Sequence, residues 1–130
     1  MPAMHMKSSR RRVLLAAGLL FLAARSQGAP AASEKLRIDR LIAAVANQKD
    51  AKFVRNGTAY EAADAARFLR GKLDSMGSRV STASEFIEQI ASRSSTSGKA
   101  YMLQFADGRK LPAAEFLKEE LRRMDAAVAR

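Results

Sequence analysis

The segment that runs from Lys7 through Arg10, Arg11 and Arg12 into the unbroken apolar stretch Val13 to Ala24 decides how much of this chain takes part in a fold at all. A charged region followed directly by an apolar one is the layout of a secretory signal peptide. Its twelve apolar residues are too few for a permanent span, which needs about twenty helical residues to cross a hydrocarbon core of ~30 Å. A buried core helix is a poorer reading, because every flanking charge is positive and the segment is apolar on all sides. Small residues then offer two cleavage points, after Gly28 or after Ala31, and the second is preferred. The sequence Ser9-Arg10-Arg11-Arg12-Val13-Leu14 also resembles a twin-arginine export motif, which leaves both a general secretory route and a folded-state route open. Met6-Lys7 is an equally good start for such a signal. The expected organisation is residues 1–31 as a cleaved signal and residues 32–130 as one domain, located in the periplasm or secreted.

Export changes what the composition means. The whole chain has 23 basic and 13 acidic residues, but residues 1–31 hold five of the basic groups and no acid, so the remainder carries 18 against 13, a net +5. That balance allows weak contact with anionic envelope surfaces and falls short of the dense basic stripe that nucleic-acid binding needs. No cysteine occurs, so neither a disulfide nor a lipid-bearing cysteine is available, and the 99 residues left must hold together by packing alone. The single histidine is His5, lost with the signal. A Ser-His-Asp triad, a Cys-His pair and the usual nitrogen and sulfur zinc ligands are thereby excluded, and no spaced aspartate run suggests a calcium loop. No cofactor or metal site is expected.

The rest of the chain alternates helical periodicity with turn signals. Ser33 is a candidate cap for a helix whose apolar face is Ile38, Leu41, Ile42 and Val45, ending near Gln48. A short β-like run, Phe53-Val54-Arg55, meets the sharp turn Asn56-Gly57. Thr58 and Glu61 have capping-box spacing for a second helix with Ala62, Ala65, Ala66, Leu69 and Leu73, closed by Gly77. Thr82 and Glu85 repeat the spacing ahead of Phe86, Ile87 and Ile90. Tyr101, Leu103 and Phe105 alternate as in a strand, Asp107-Gly108 turns it, and Pro112 suits the first turn of a helix carrying Leu117, Leu121, Met124 and Val128. The expected class is α+β, mostly helical, with about four helices and two short strands.

The segments F-V-R-N-G-T-A-Y (53–60), A-A-x-x-L-x-x-K-L (65–73), T-A-S-E-F-I-E-x-I-A-S-x-S-S-x-S-G-K-x-Y (82–101) and L-P-A-A-E-F-L (111–117) resemble the YfeK-like family of small exported bacterial proteins, a domain of unknown function. The resemblance spans residues 35–125 and supplies no catalytic residues. It implies export and a single domain. Many members place cysteines where this chain has Ala51 and Phe105, and if those pair, the resemblance implies that the two short strands lie side by side. Ala100 stands where the family usually has proline.

The stretch Ser92 to Tyr101 (SRSSTSGKAY) invites three readings. A phosphate loop is excluded, because it would need an earlier glycine, a strand before it and a helix after it. A serine-lysine nucleophile, Ser95 or Ser97 with Lys99, would need a desolvated lysine and an oxyanion hole. A hydroxyl-rich helix end accounts for most of the stretch, although four hydroxyls exceed what capping requires. Arg55 either pairs with an acid such as Glu61 or presents its fork to a ligand. Tyr60 and Tyr101 are half-buried core edges or a stacking surface. Glu85 with Glu88, and Glu115 with Glu119, read as solvated helix faces rather than catalytic carboxylate pairs. The favoured expectation is a non-enzymatic exported binding or interaction protein with one patch at Arg55, Tyr60, Ser95, Ser97, Lys99 and Tyr101, its partner an envelope protein or ligand that the sequence does not identify. The alternatives are a histidine-free serine-lysine hydrolase and a peripheral binder of anionic envelope polymers.

Overall fold

A computed structural model describes residues 32–129. The expected signal segment, its expected cleavage points and His5 lie outside the described residues.

The first helix, α1 (Ala32–Ala46), buries Ile38, Leu41, Ile42 and Val45, the four positions that its sequence spacing predicts. Ser33 lies within its first turn rather than ahead of it. The chain then enters β1 (Lys52–Arg55), turns at Asn56-Gly57 and returns as β2 (Thr58–Glu61). Asn56 has φ +52° and Gly57 φ +81°, so both central residues of this two-residue turn lie in the left-handed region that matches the twist of paired strands. This corrects the expectation of a capping box at Thr58. Its backbone pairs with Arg55, Tyr60 faces Phe53, and Glu61 faces Lys52, with which it forms an ion pair.

Helix α2 (Ala62–Met76) follows at once, with Glu61 at the cap position and no side-chain cap. It buries Ala62, Ala65 and Leu69, with Ala66 and Leu73 packed at the core edge. Beyond a 3₁₀ turn at Gly77–Arg79, Thr82 accepts from the Glu85 N–H while Glu85 reaches back to the Thr82 N–H, the full capping box read from the sequence. The short helix α3 (Ala83–Glu85) widens into π geometry over Phe86–Ala91. The wider turn lets Phe86, Ile87, Ile90 and Ala91 all face the core.

The third strand, β3 (Met102–Gln104), is shorter than the period-two pattern suggests. Tyr101 and Leu103 are buried, but Phe105 is only partly so, and its N–H closes the following turn onto the Arg109 carbonyl. After Gly108, at φ +92°, a fourth strand β4 (Lys110–Pro112) pairs with β3. Pro112 ends this edge strand instead of opening the last helix, a position where its missing N–H leaves no ladder bond unmade. Helix α4 (Ala113–Ala129) buries Leu117 and Leu121 and packs Met124 at the core edge, whereas Val128 is exposed.

The class is α+β and mostly helical, with a four-stranded antiparallel sheet in the order β2-β1-β3-β4 where two strands were expected. Helices lie against the sheet face that carries Phe53, Tyr101 and Leu103, and the buried residues form one cluster. Between helices, Glu34 accepts from Arg37 at 2.6 Å and from the Ala83 N–H at 2.8 Å, and Arg37 also donates to Asp125 at 2.7 Å, which ties α1 to the start of α3 and to α4. Strands β1 and β3 pair with Lys52 opposite Gln104, and one further step of that register sets Ala51 opposite Phe105. The neighbourhood implied by the family's cysteines is therefore kept here without a bond.

Two glycines should respond oppositely to substitution. A Cβ would meet nothing within 4 Å at either Gly57 or Gly71, but Gly57 is held at positive φ and Gly71 is an interior residue of α2. Gly57→Val should cost about 1–2 kcal/mol. Gly71→Ala should gain about 0.5–1 kcal/mol. Urea midpoints measure both, and the same sign for the two changes would contradict the turn.

Candidate functional site

The alternation of β1 puts Phe53 and Arg55 on the helix-facing side of the sheet, and the hairpin register sets Tyr60 beside them. From the other side, α2 brings Asp64, Ala65, Arg67 and Phe68. Between hairpin and helix lies an open cleft of about 460 Å³ lined by these residues. That is within the ~300–1,000 Å³ typical of small-molecule sites.

Arg55 dominates the cleft. Its guanidinium carbon lies 4.3 Å from the Phe68 ring centre and 5.3 Å from the Tyr60 ring centre, and one N–H group donates to the Tyr60 hydroxyl at 3.2 Å. A flat cation over aromatic faces is held there by the ring quadrupoles, worth roughly 0.5–2 kcal/mol per well-placed pair. No carboxylate among the described residues lies within ion-pair distance of Arg55, so the expected alternative, a pair with Glu61, is not formed. Glu61 pairs with Lys52, and Asp64, the acid that lines the cleft, pairs with Arg67.

Behind the cleft is a second cation. Tyr101 is 1% exposed and packs its ring 5.3 Å from Phe53 and 5.8 Å, edge-on, from Phe68. It is a core side chain, and its hydroxyl reaches Lys72, one helical turn beyond Phe68, at 3.0 Å. The Lys72 ammonium also donates to the Arg93 carbonyl at 2.9 Å. Burial, and after it the charge of Arg55, pushes the Lys72 ammonium below its usual range. Burial pushes Tyr101 up, partly offset by Arg55. Both effects favour the neutral form of a group held in low dielectric.

The serine loop is a different structure from this cleft, joined to it at one residue. Ser94, 4% exposed, accepts from the Thr96 and Ser97 N–H groups and from the Asn56 side-chain amide, each at 3.3 Å. The Ser97 hydroxyl donates to the Asn56 side-chain oxygen Oδ1 at 2.5 Å and accepts from the Lys99 N–H at 3.2 Å. The loop backbone closes through Gly98, at φ +75°, whose N–H donates to the Ser94 carbonyl at 2.9 Å. The hydroxyls beyond capping needs therefore grip the hairpin turn. Ser95 is exposed and makes no side-chain hydrogen bond among the described residues. Lys99 is exposed, and its ammonium reaches no serine hydroxyl among the described residues, so the serine-lysine pair is not assembled.

The six residues singled out from sequence thus fall into separate places. Arg55 and Tyr60 line the cleft, Tyr101 lies in the core behind it, and Ser95, Ser97 and Lys99 belong to the loop that holds Asn56. Phe68, Lys72, Asn56 and Ser94 are not among the site residues that the sequence suggests, although Asn56 is read there as a turn residue and Ser94 as part of the serine stretch. The signal for the first two was present, since Phe68 and Lys72 stand four apart on α2, the spacing of neighbours on one helix face.

These features describe a small α+β domain with one open, aromatic-walled, cationic cleft beside a clamped hairpin. The chain belongs to the family of unknown function DUF5329, which matches residues 32–125. It is 44% identical over 70 residues to the uncharacterized protein YfeK of Salmonella typhimurium (strain LT2), a stretch that covers 54% of this chain and 58% of that protein. No solved structure matches it. Among the described residues, no helix is long and apolar enough to cross a membrane.

The clamp and the buried tyrosine give two expected outcomes. Ser94→Ala removes the acceptor of two backbone N–H groups and the Asn56 amide and should cost about 1–3 kcal/mol. Ser95→Ala should stay within about 0.5 kcal/mol. Equal effects in denaturant unfolding would remove the clamp. In Tyr60→Phe, where Tyr101 is the sole tyrosine, phenolate absorbance should rise at a pH above the ordinary value of 10.0 while circular dichroism still reports a folded chain. Because the folded value is raised, the unfolded chain ionises first and stability falls as pH climbs from 10.0 towards that higher value. A midpoint at or below 10.0 in the folded chain would contradict the burial of this hydroxyl.

Proposed function

We propose that this chain is an exported, periplasmic, non-enzymatic binding protein whose working surface is the cleft at Arg55, Tyr60 and Phe68. The observation that carries the reading is the uncompensated guanidinium on two aromatic faces at the mouth of a cleft of small-molecule size. A binding protein uses such a group to orient a ligand, and nothing in this cleft resembles a nucleophile with its base. The export half of the proposal rests on Lys7 to Ala24, and a net charge of +5 beyond residue 31 is compatible with an anionic envelope.

Of the alternatives, the hydrolase loses its support with the separation of Lys99 from the serine hydroxyls. A peripheral binder of anionic polymers would use free surface cations, and Arg37, Arg67, Arg70, Arg109, Arg122 and Arg123 are engaged in ion pairs. Exposed pairs of this kind contribute little stability, about 0–1 kcal/mol each, but each sets an acid beside its cation and offsets the charge that a polyanion would meet there.

Two measurements test the proposal. Mass spectrometry of the protein from the periplasmic fraction should show a chain that begins at Ala29 or Ala32; an uncleaved chain retained in the cytoplasm overturns the export half. A photo-crosslinking side chain at position 60 should capture a ligand or partner in the intact envelope, whereas one at exposed position 128 on α4 should not. Equal capture at the two positions, or capture only at 128, moves the working surface away from the cleft.

A further inference from the structure

The chemistry of the cleft narrows what it can hold. A guanidinium has five N–H donors in a rigid fork. Among the described residues, Arg55 uses that fork once, towards the neutral Tyr60 hydroxyl. Its guanidinium carbon lies over the Phe68 and Tyr60 rings, and the donors left over point along the plane of the group, the direction from which a carboxylate is met bidentately. Lys72 adds positive potential from the next turn of α2, and neither cation has a carboxylate partner among the described residues. The only acid on the cleft wall, Asp64, is already neutralised by Arg67.

The remaining walls are apolar. Phe53 and Ala65, each 1% exposed, form the floor of the cleft, and the accessible apolar surface is that of the half-buried Phe68 and Tyr60, the latter with its hydroxyl at the Arg55 end. An inorganic anion would satisfy the fork and leave these walls wet; an apolar molecule without charge would cover the walls and leave the guanidinium unpaired. A single molecule satisfies both when one end is a carboxylate and the other a compact hydrocarbon or aromatic body.

From this geometry, and resting on the reading of the chain as a binding protein, we infer that the cleft binds the carboxylate of an apolar acid, with the Arg55 fork on its two oxygens and its body along the cleft wall that Tyr60 and Phe68 line. The same chemistry is presented by a free aryl-alkyl acid and by the C-terminus of a peptide that ends in an aromatic residue. An anion at this place also offsets the mutual repulsion of Arg55 and Lys72.

The test is an NMR titration of the protein, in the form recovered from cells, with 3-phenylpropanoate, its amide, inorganic phosphate, a short peptide that ends in phenylalanine with a free carboxylate, and the same peptide amidated. The carboxylates should move the resonances of Arg55, Tyr60, Ala65 and Phe68 and bind at least roughly tenfold more tightly than their amides, and phosphate alone should bind more weakly than either. Whichever of the free acid and the peptide binds more tightly identifies the source. Arg55→Gln should lose roughly tenfold or more of the carboxylate affinity and leave amide binding unchanged, and Arg55→Lys, which keeps the charge without the fork, should fall between. Should Arg55→Gln fail to fold, Arg55→Lys with the acid and amide pair carries the comparison. Equal binding of acid and amide, or carboxylate affinity untouched by either substitution, overturns the carboxylate inference and leaves a binding cleft standing. No perturbation of these four residues by any of the probes overturns it together with the assignment of the cleft as the binding surface.

Discussion

The Asn56-Gly57 turn is the constraint on which the rest of this structure depends. Its two positive φ values fold β1 back on itself as β2, and that reversal alone sets Tyr60 beside Phe53 and aims Arg55 at the face of α2. An open turn of this kind at a sheet edge would be mobile if its own backbone were all that held it. Here the Asn56 amide is gripped from both ends, its N–H by Ser94 and its oxygen by Ser97, so a loop 38 residues further along the chain fixes the hairpin that shapes the cleft. The serine loop is in turn rigid because its hydroxyls satisfy its own N–H groups. Hairpin and loop therefore act as one unit, and the position of Arg55 follows from both.

What the sequence made legible is the part governed by a single periodicity. The core of α1 and the capping box at Thr82 were readable because burial on one helix face, or reciprocal caps three residues apart, leave an unambiguous trace. The error at Thr58 arose where two local signals competed over the same residues. T-x-x-E spacing argued for a helix start, Asn-Gly between extended segments argued for a hairpin, and the hairpin won because β1 also pairs with β3 and gains a sheet, whereas a cap gains only a helix end. Strand β4 was missed for a related reason. Three residues ending in proline carry no alternation, and only the pairing of Leu111 with Leu103 makes them a strand.

The candidate site was less legible than the fold, since it is built from tertiary pairings. Hydroxyl density drew attention to residues 94–97, and the density is real, but its recipient is Asn56, a long-range partner that no local pattern names. Arg55 was visible as a choice between an acid and a ligand. The choice depended on whether Glu61 was free, and Glu61 became the cross-strand partner of Lys52 only once β2 existed. The misreading at Thr58 and the ambiguity at Arg55 were thus the same error seen twice.

The burial of Tyr101 explains why the cleft is cationic without being unstable. A phenol and an ammonium placed in low dielectric each favour their neutral forms, and here they satisfy one another with a hydrogen bond while the Arg93 carbonyl takes a second ammonium N–H. Lys72 thereby serves as a strut between α2 and the strand that follows the serine loop. Its charge still acts on that of Arg55, so the domain keeps two like charges near one cleft. Packing of the three rings of Phe53, Phe68 and Tyr101 holds them there against their repulsion. A chain with no disulfide has no covalent tie to absorb such a cost, so retaining the pair requires that aromatic packing supply the restraint. Two of these rings, Phe53 and Phe68, also line the cleft, so the stability of the fold and the shape of the site draw on shared side chains.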